Sequence, residues 1–228
     1  MRPASAFALG LLHGPAELLP VSSSAHARLF LKSLEPARRK ELEVALHAGT
    51  LLVLGPPRPR LWLAIATLPP ALAGFLFERR IEERLGGPRS MAAGLVAGGI
   101  AMAVADARGS TRSRPLSPRE AALLGVAQAA ALVPGVSRHG SALTVLRARG
   151  RARAEAQVIS REASKPVLLG AAVLKGLQVS GGLPTLAAAV AGSALGTLVA
   201  RRAVPDDAPL WPFALYRAAL APIVWRHG

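Results

Sequence analysis

The sequence predicts an all-α, polytopic membrane bundle built from two similar halves, and three observations carry that prediction. First, the 228-residue chain is 51% hydrophobic, with mean hydropathy +0.36, yet its formal net charge is +15. A multi-pass membrane protein with arginine-rich loops combines those traits, whereas a soluble basic protein is seldom so apolar. Second, the apolar residues are mostly Ala and Leu, which favour helix over strand. Third, two short stretches nearly repeat: Glu17-Leu18-Leu19-Pro20-Val21-Ser22-Ser23-Ser24-Ala25-His26 and Leu132-Val133-Pro134-Gly135-Val136-Ser137-Arg138-His139-Gly140. Pro20 and Pro134, like Ser23 and Ser137, are 114 residues apart, half the chain.

Charged or Pro/Gly-rich breaks divide the chain into apolar segments at about 4–19, 42–55, 61–77, 91–105, 120–133, 166–179, 183–200 and 209–225. Several fall short of the ~20 residues that span hydrocarbon, so they read as re-entrant, as thinning the bilayer, or as extending into less apolar flanks. Buried helices of a soluble all-α protein are the rival reading. The first segment follows a single Arg2 and flows into the first motif, so it reads as part of the mature fold rather than a signal peptide. Gly and Ala recur through 91–105 and 187–200, which suits close helix packing in lipid.

Charge collects in the breaks. Arg58 and Arg60 follow a Pro-Pro, Glu78 to Arg89 mixes both signs, and Arg147, Arg149, Arg151 and Arg153 form an alternating basic run. The stretch at about 108–118 reads as the linker between a first repeat, about 1–107, and a second, about 119–228, in one integral membrane domain. Gly74-x-Leu76-x-x-Arg79-Arg80 matches Gly196-x-Leu198-x-x-Arg201-Arg202, and Gly10-x-x-His13 echoes Gly125-x-x-Gln128. Basic residues lie in most loops, which leaves membrane orientation open. The excess charge points to a membrane surface or anionic headgroups. Nucleic acid is not the expected partner, because aromatics are 4% and do not interleave with basic residues. No cysteine is present, which excludes disulfides and thiolate metal sites.

The two motifs supply the chemistry. Each places a helix-breaking proline and small hydroxylated residues in an apolar region, which is tolerated where backbone lines a polar cavity. Matching interruptions in two halves point to a binding site between them. His13 and Glu17, four residues apart, share one helix face. Ser22, Ser23 and Ser24 with their amides suit an anion nest at the start of the next helix, or simple N-capping. His26 lies in that helix's first turn, and a carboxylate such as Glu17 in an apolar run is costly unless functional. In the second motif, Ser137 and Arg138 suit bidentate capture of phosphate oxygens, with interfacial snorkelling as the alternative for Arg138. His139 reads equally as a general acid or as a polar residue at a helix start.

These residues carry a family resemblance. The chain resembles the undecaprenyl-diphosphate phosphatase family of bacterial membrane proteins, often called bacitracin-resistance proteins. The family's first motif, (E/Q)G-x-x-EFLP-x-SS-x-GH, is similar to residues 13–26, and its second, PG-x-SRSG-x-T, to residues 134–142. Leu42 to Gly49 resembles FEV-x-x-Q-x-G, Leu68 to Phe77 resembles IPA-x-x-x-G-x-LF, and Phe213 to Arg217 resembles F-x-x-YR. The matches run in order over nearly the whole chain.

The resemblance implies a bundle of interlocked inverted repeats, each with a re-entrant helical hairpin, in the bacterial plasma membrane with the site on the extracytoplasmic side. It implies hydrolysis of undecaprenyl diphosphate to undecaprenyl phosphate and inorganic phosphate, which recycles the lipid carrier of cell-wall synthesis and confers bacitracin resistance. Glu17, Ser23 and His26 would be catalytic. His13, Ser22, Ser24, Ser137, Arg138 and His139 would contact the polyprenyl diphosphate. A divalent cation, Mg²⁺ or Ca²⁺, would accompany the diphosphate near Glu17, with no organic cofactor. A serine nucleophile and a directly attacking water both remain open, as do oligomeric state and prenyl chain length.

The departures from the pattern are specific. His13 replaces a Glu/Gln, His47 a Gln, His139 a Ser and Ala142 a Thr, and the apolar F-S-F-L-L-A-x-P becomes Ile159-Ser160-Arg161-Glu162-Ala163-Ser164-Lys165-Pro166. The added histidines raise a second hypothesis, a transition-metal site of His13, Glu17, His26 and His139. Acid-phosphatase-like lipid phosphatases are excluded on spacing, since Thr144 stands where their third motif needs His. A prenyl-lipid carrier or a catalytically altered relative acting on another lipid phosphate is the alternative, because broken helices in two halves also mark transporters.

Overall fold

The computed structural model describes residues 1–108, 115–176 and 182–228. Among them are ten helices and no strand: α1 (Pro3–Leu18), α2 (Ser23–Leu31), α3 (Pro36–Leu54), α4 (Leu61–Leu85), α5 (Pro88–Arg108), α6 (Pro118–Ala130), α7 (Arg138–Ala148), α8 (Arg153–Gly176), α9 (Leu183–Ala203) and α10 (Trp211–His227). Most of the expected linker and the end of the 166–179 segment lie outside the described residues.

Proline starts many of these helices. It sits in the opening turn of α1, α3, α6, α9 and α10, where its missing N–H has no intrahelical partner to lose. Ser117 and Glu120 add a capping box at α6. Hydropathy misplaced two boundaries. The mixed-charge stretch after residue 77 continues α4 to Leu85, and the charged residues before Pro166 belong to α8. Charge alone does not stop a helix when its side chains find partners. Arg79 donates to Glu83, Lys165 to Glu162, and Arg161 clasps Asp206 with bonds of 2.7 and 2.6 Å.

Several interfaces occur in pairs when helices one to five are exchanged with six to ten, although α1 on α3 and α7 on α8 have no counterpart of similar extent. α1 packs on α9 as α6 packs on α4, α3 on α9 as α8 on α4, and α5 on α7 as α10 on α2. α5 also meets α10, and α3 meets α8, across the relation itself. Each half therefore completes the other.

Small residues set the closest of these contacts. On α1 and α9, Gly10-x-x-x-Gly14 lies against Gly192-x-x-x-Gly196. A Cβ at Gly14 would stand 2.3 Å from the Ser193 carbonyl oxygen, and one at Gly192 would stand 2.2 Å from that of Phe7. Backbones this close are the usual solution for helix association in lipid. Beside them, Ser193 Oγ donates to the Leu46 carbonyl at 2.7 Å and Thr50 Oγ1 lies 3.2 Å from Ser193 Oγ, tying α3 to α9.

Three described helices, α4, α5 and α9, are long and apolar enough to cross a membrane. They turn large apolar side chains outward, including Phe75 at 89% exposure, Leu61, Ile100 and Val199. Such a surface is suited to lipid. The protein is a membrane-associated helical bundle.

The alternating basic run is not a solvated loop. Arg147 and Arg151 are buried. Arg147 Nε donates to Asp106 at 2.7 Å, and Arg153 makes a forked contact with the same carboxylate. Arg151 pairs with Glu120 at 3.3 Å and with Glu155. Asp106 also accepts from the Leu210 amide at 3.1 Å, so one carboxylate joins the end of α5 to two distant turns.

Candidate active site

Each motif is a helix–turn–helix break. In the first, Pro20 cannot continue α1, and Leu19 before it is extended, with φ −95° and ψ 155°. The chain passes through Ser22 at φ +74°, a left-handed conformation that costs a non-glycine residue energy, and then enters α2. In the second, Gly135 has φ +90°, and a Cβ there would meet the Met91 carbonyl oxygen at 2.1 Å. Only glycine fits that turn. The chain then enters α7.

The two breaks meet. Arg138 Nη1 donates to Glu17 Oε1 at 3.5 Å, and the Gly135 amide reaches Ser24 Oγ at 3.5 Å. Arg217 of α10 holds both turns from behind. Its buried guanidinium donates to the carbonyls of Pro20 (3.4 Å), Gly135 (3.1 Å), Gly94 (3.1 Å) and Leu95 (3.1 Å). Gly98 and Gly140 make room for it, since a Cβ at either would strike its terminal nitrogens.

Glu17 stands at the junction. Its side chain is 7% exposed, against 25% for Arg138, so the arginine forms the open side of the pair. Its second oxygen faces His47 of α3, with Nε2 at 3.6 Å from Oε2. The His13 and His47 rings meet edge to face with centroids 5.3 Å apart. Donor atoms of His13, Glu17 and His47 all lie within 4.8 Å of one another.

The serines divide their roles. Ser22 Oγ lies 3.1 Å from Ser24 Oγ, so neither is spent on capping α2, whose N-terminus has no side-chain cap. Ser23 opens α2, partly buried, with no hydrogen-bond partner for its hydroxyl among the described residues. By contrast Ser137 caps α7 by accepting from the Gly140 amide at 3.1 Å. Simple capping therefore describes Ser137 and not Ser22 to Ser24. The first-turn amides of α2 and their share of the helix dipole are left for an anion.

His26 lies in the first turn of α2, as expected, whereas His139 sits differently from expectation. His26 Nδ1 donates to the Ser22 carbonyl at 2.8 Å, and its Nε2 lies 2.7 Å from the Tyr216 hydroxyl. With the proton on Nδ1, Nε2 accepts from tyrosine. His139 was expected to touch substrate. Instead it is buried at 4% exposure, with Nε2 at 2.7 Å from Gln157 Oε1 and Nδ1 at 2.8 Å from Ser160 Oγ. Both nitrogens are occupied by α8, so His139 braces α7. Ser141 likewise turns back on its own helix, to the Ser137 carbonyl. The expected metal set of His13, Glu17, His26 and His139 does not assemble: the last two have other partners, and His47 takes their place.

The resemblance implies Mg²⁺ or Ca²⁺. Mg²⁺ takes six ligands and Ca²⁺ about six to eight, almost all oxygen, and here only Glu17 of the three gathered side chains offers oxygen. These residues do not by themselves fit such an ion. A surface groove of about 530 Å³ between α5 and α10 is lined by Ala92, Val96, Ala221, Pro222 and Trp225 with Arg89 and contains none of the motif residues. Its lining is apolar apart from Arg89.

Sequence reading missed His47, Tyr216 and Arg217 as site residues. All three stand at fixed letters of the family patterns, His47 at the Gln of FEV-x-x-Q-x-G and Tyr216-Arg217 as the YR of F-x-x-YR, and that was the signal that could have found them.

Known proteins resemble this chain over most of its length. The family model described as Bacitracin resistance protein BacA matches residues 57–223. An undecaprenyl-diphosphatase of Geobacter sulfurreducens is 35% identical, covering 92% of this chain and 92% of its own length. One from Chromohalobacter salexigens is 32% identical over 96% and 97%, and one from Elusimicrobium minutum is 35% identical over 77% and 76%.

Proposed function

Because this chain belongs to the bacitracin resistance protein BacA family, we propose that it hydrolyses undecaprenyl diphosphate to undecaprenyl phosphate and inorganic phosphate. The observation that carries the reading is the meeting of two motif turns, which sets Glu17, Arg138 and the uncapped start of α2 around one space.

The reaction needs phosphate charge neutralised and a nucleophile aligned with the leaving group. Arg138 and the first-turn amides of α2 supply the positive field. Ser23 Oγ attacks the terminal phosphorus, its proton passes to Glu17, and the bond to the bridging oxygen breaks. Undecaprenyl phosphate leaves with that oxygen, and water then cleaves the phosphoserine to release phosphate. His26, with its two nitrogens on the Ser22 carbonyl and the Tyr216 hydroxyl, fixes the turn that carries Ser23. An alkaline-earth ion would travel on the phosphate oxygens as part of the substrate, and no organic cofactor is needed.

The two halves read as inverted repeats, with motif turns that enter the bilayer as re-entrant hairpins and open on the extracytoplasmic face of the bacterial plasma membrane. The paired interfaces and the backbone breaks support that arrangement. There the enzyme would recycle the lipid carrier of peptidoglycan synthesis and confer bacitracin resistance.

The test is phosphate release from undecaprenyl diphosphate by purified protein in detergent, beside Glu17→Ala. Release by the wild type alone supports the reading. Binding without release in a folded wild type would identify a carrier instead.

A further inference from the structure

Three donor atoms clustered beside the motif turns are better suited to a transition metal than to the ions the family resemblance implies. Among the described residues, His13 Nδ1 and Glu17 Oε2 are buried without a hydrogen-bond partner, although Oε2 faces His47 Nε2 at 3.6 Å. Buried polar atoms are rarely left unpaired, because each forfeits its bonds to water. These two belong to one cluster, in which the donor atoms of His13, Glu17 and His47 lie within 4.8 Å of one another. A dication accepting lone pairs from the three side chains would give this buried polar cluster a partner.

The donor types choose among dications. Two imidazoles and one carboxylate suit zinc and its first-row neighbours, whereas Mg²⁺ and Ca²⁺ require oxygen-rich shells. His13 and His47 stand where the family pattern has Glu/Gln and Gln, so both substitutions replace hard oxygen donors with nitrogen. The carboxylate is already divided suitably. Glu17 Oε1 accepts from Arg138, and Oε2 faces His47 at 3.6 Å. Donors bound at about 2.0–2.1 Å to tetrahedral zinc sit roughly 3.3 Å apart, so small side-chain rotations close this set onto a metal.

We propose that His13, Glu17 and His47 form a binding site for a divalent transition metal of the zinc class, with an open position toward Arg138. The site shares Glu17 with the proposed phosphatase centre but rests on its donor set and not on that activity.

The experiment uses full-length protein without a polyhistidine tag, in detergent and stripped with chelator. Co²⁺ is titrated while visible d–d absorption is followed, with Zn²⁺ as competitor and excess Mg²⁺ as control. His13→Gln and His47→Gln are compared with His227→Gln, and helical circular dichroism checks folding. The proposal expects one Co²⁺ per chain, displaced by Zn²⁺ and not by Mg²⁺. Affinity should fall at least tenfold in the first two variants and stay unchanged in the third. X-ray absorption at the zinc edge of the wild type should show two imidazoles, which keeps the test independent of variant folding. Failure of the folded wild type to bind stoichiometrically, ready displacement by Mg²⁺, or a shell without imidazole would overturn the site. Phosphate release is assayed in parallel: its absence beside intact Co²⁺ binding refutes the phosphatase reading alone, and its presence without Co²⁺ binding refutes the metal site alone.

Discussion

Glu17 and Arg138 are 121 residues apart in sequence and 3.5 Å apart in space. Each comes from a different half, and each follows from a helix broken at proline. Their contact makes two half-motifs into one site. Arg138→Ala removes the exposed cation of this pair, and turnover of undecaprenyl diphosphate should fall by about 2.7–4 kcal/mol of transition-state stabilisation, roughly 10²- to 10³-fold. Steady-state phosphate release measures it, and near-normal kinetics would place Arg138 outside the site.

Arg217 secures the geometry without facing substrate. Its guanidinium serves the carbonyls of Pro20, Gly94, Leu95 and Gly135 at once. A lysine ammonium is a compact point charge and cannot reproduce that fork. Arg217→Lys should cost at least about 1–3 kcal/mol through carbonyls left unpaired. Thermal unfolding in detergent should show a lower midpoint together with reduced turnover. An unchanged midpoint would contradict the clamp.

The α1–α9 crossing depends on absent side chains. Gly14→Leu drives a side chain into the Ser193 backbone, and overpacking of this kind typically costs about 1–3 kcal/mol or more. Gly74→Ala enters open space on α4 and should be neutral or stabilising. Folded yield by size-exclusion chromatography and thermal midpoint separate the two, and equal tolerance would argue against the close crossing.

Tyr216 holds His26 through its hydroxyl at 2.7 Å. Tyr216→Phe keeps the ring and deletes the bond, so kcat should drop by about 0.5–1.5 kcal/mol, up to roughly tenfold, with folding intact. Unaltered kcat would show that this bond does not matter to turnover.

Much of this was legible in the chain. The prolines at 20 and 134 announced both breaks, and Glu17 and Arg138 stood out as charges beside them. Other features depend on distant partners and leave little local signal. Arg147 and Arg151 read only as part of a basic run in a break, because Asp106 and Glu120, which neutralise them, lie far away in sequence. His139 looked like a candidate acid until Gln157 and Ser160 were seen to occupy both its nitrogens. His47 stands at the Gln of FEV-x-x-Q-x-G, and only the fold brings it to Glu17. The charged opening of α8 resembled a break because hydropathy counts Arg161 and Lys165 without their carboxylate partners.

The central claim is that the two motifs act as one catalytic unit, and a double-mutant cycle tests it most directly. Phosphate release is measured for wild type, Glu17→Gln, Arg138→Ala and the double variant, each confirmed folded. A single site predicts strong non-additivity, with the double variant hardly slower than the worse single variant. Losses that simply add would mean that Glu17 and Arg138 work independently, and would contradict the account.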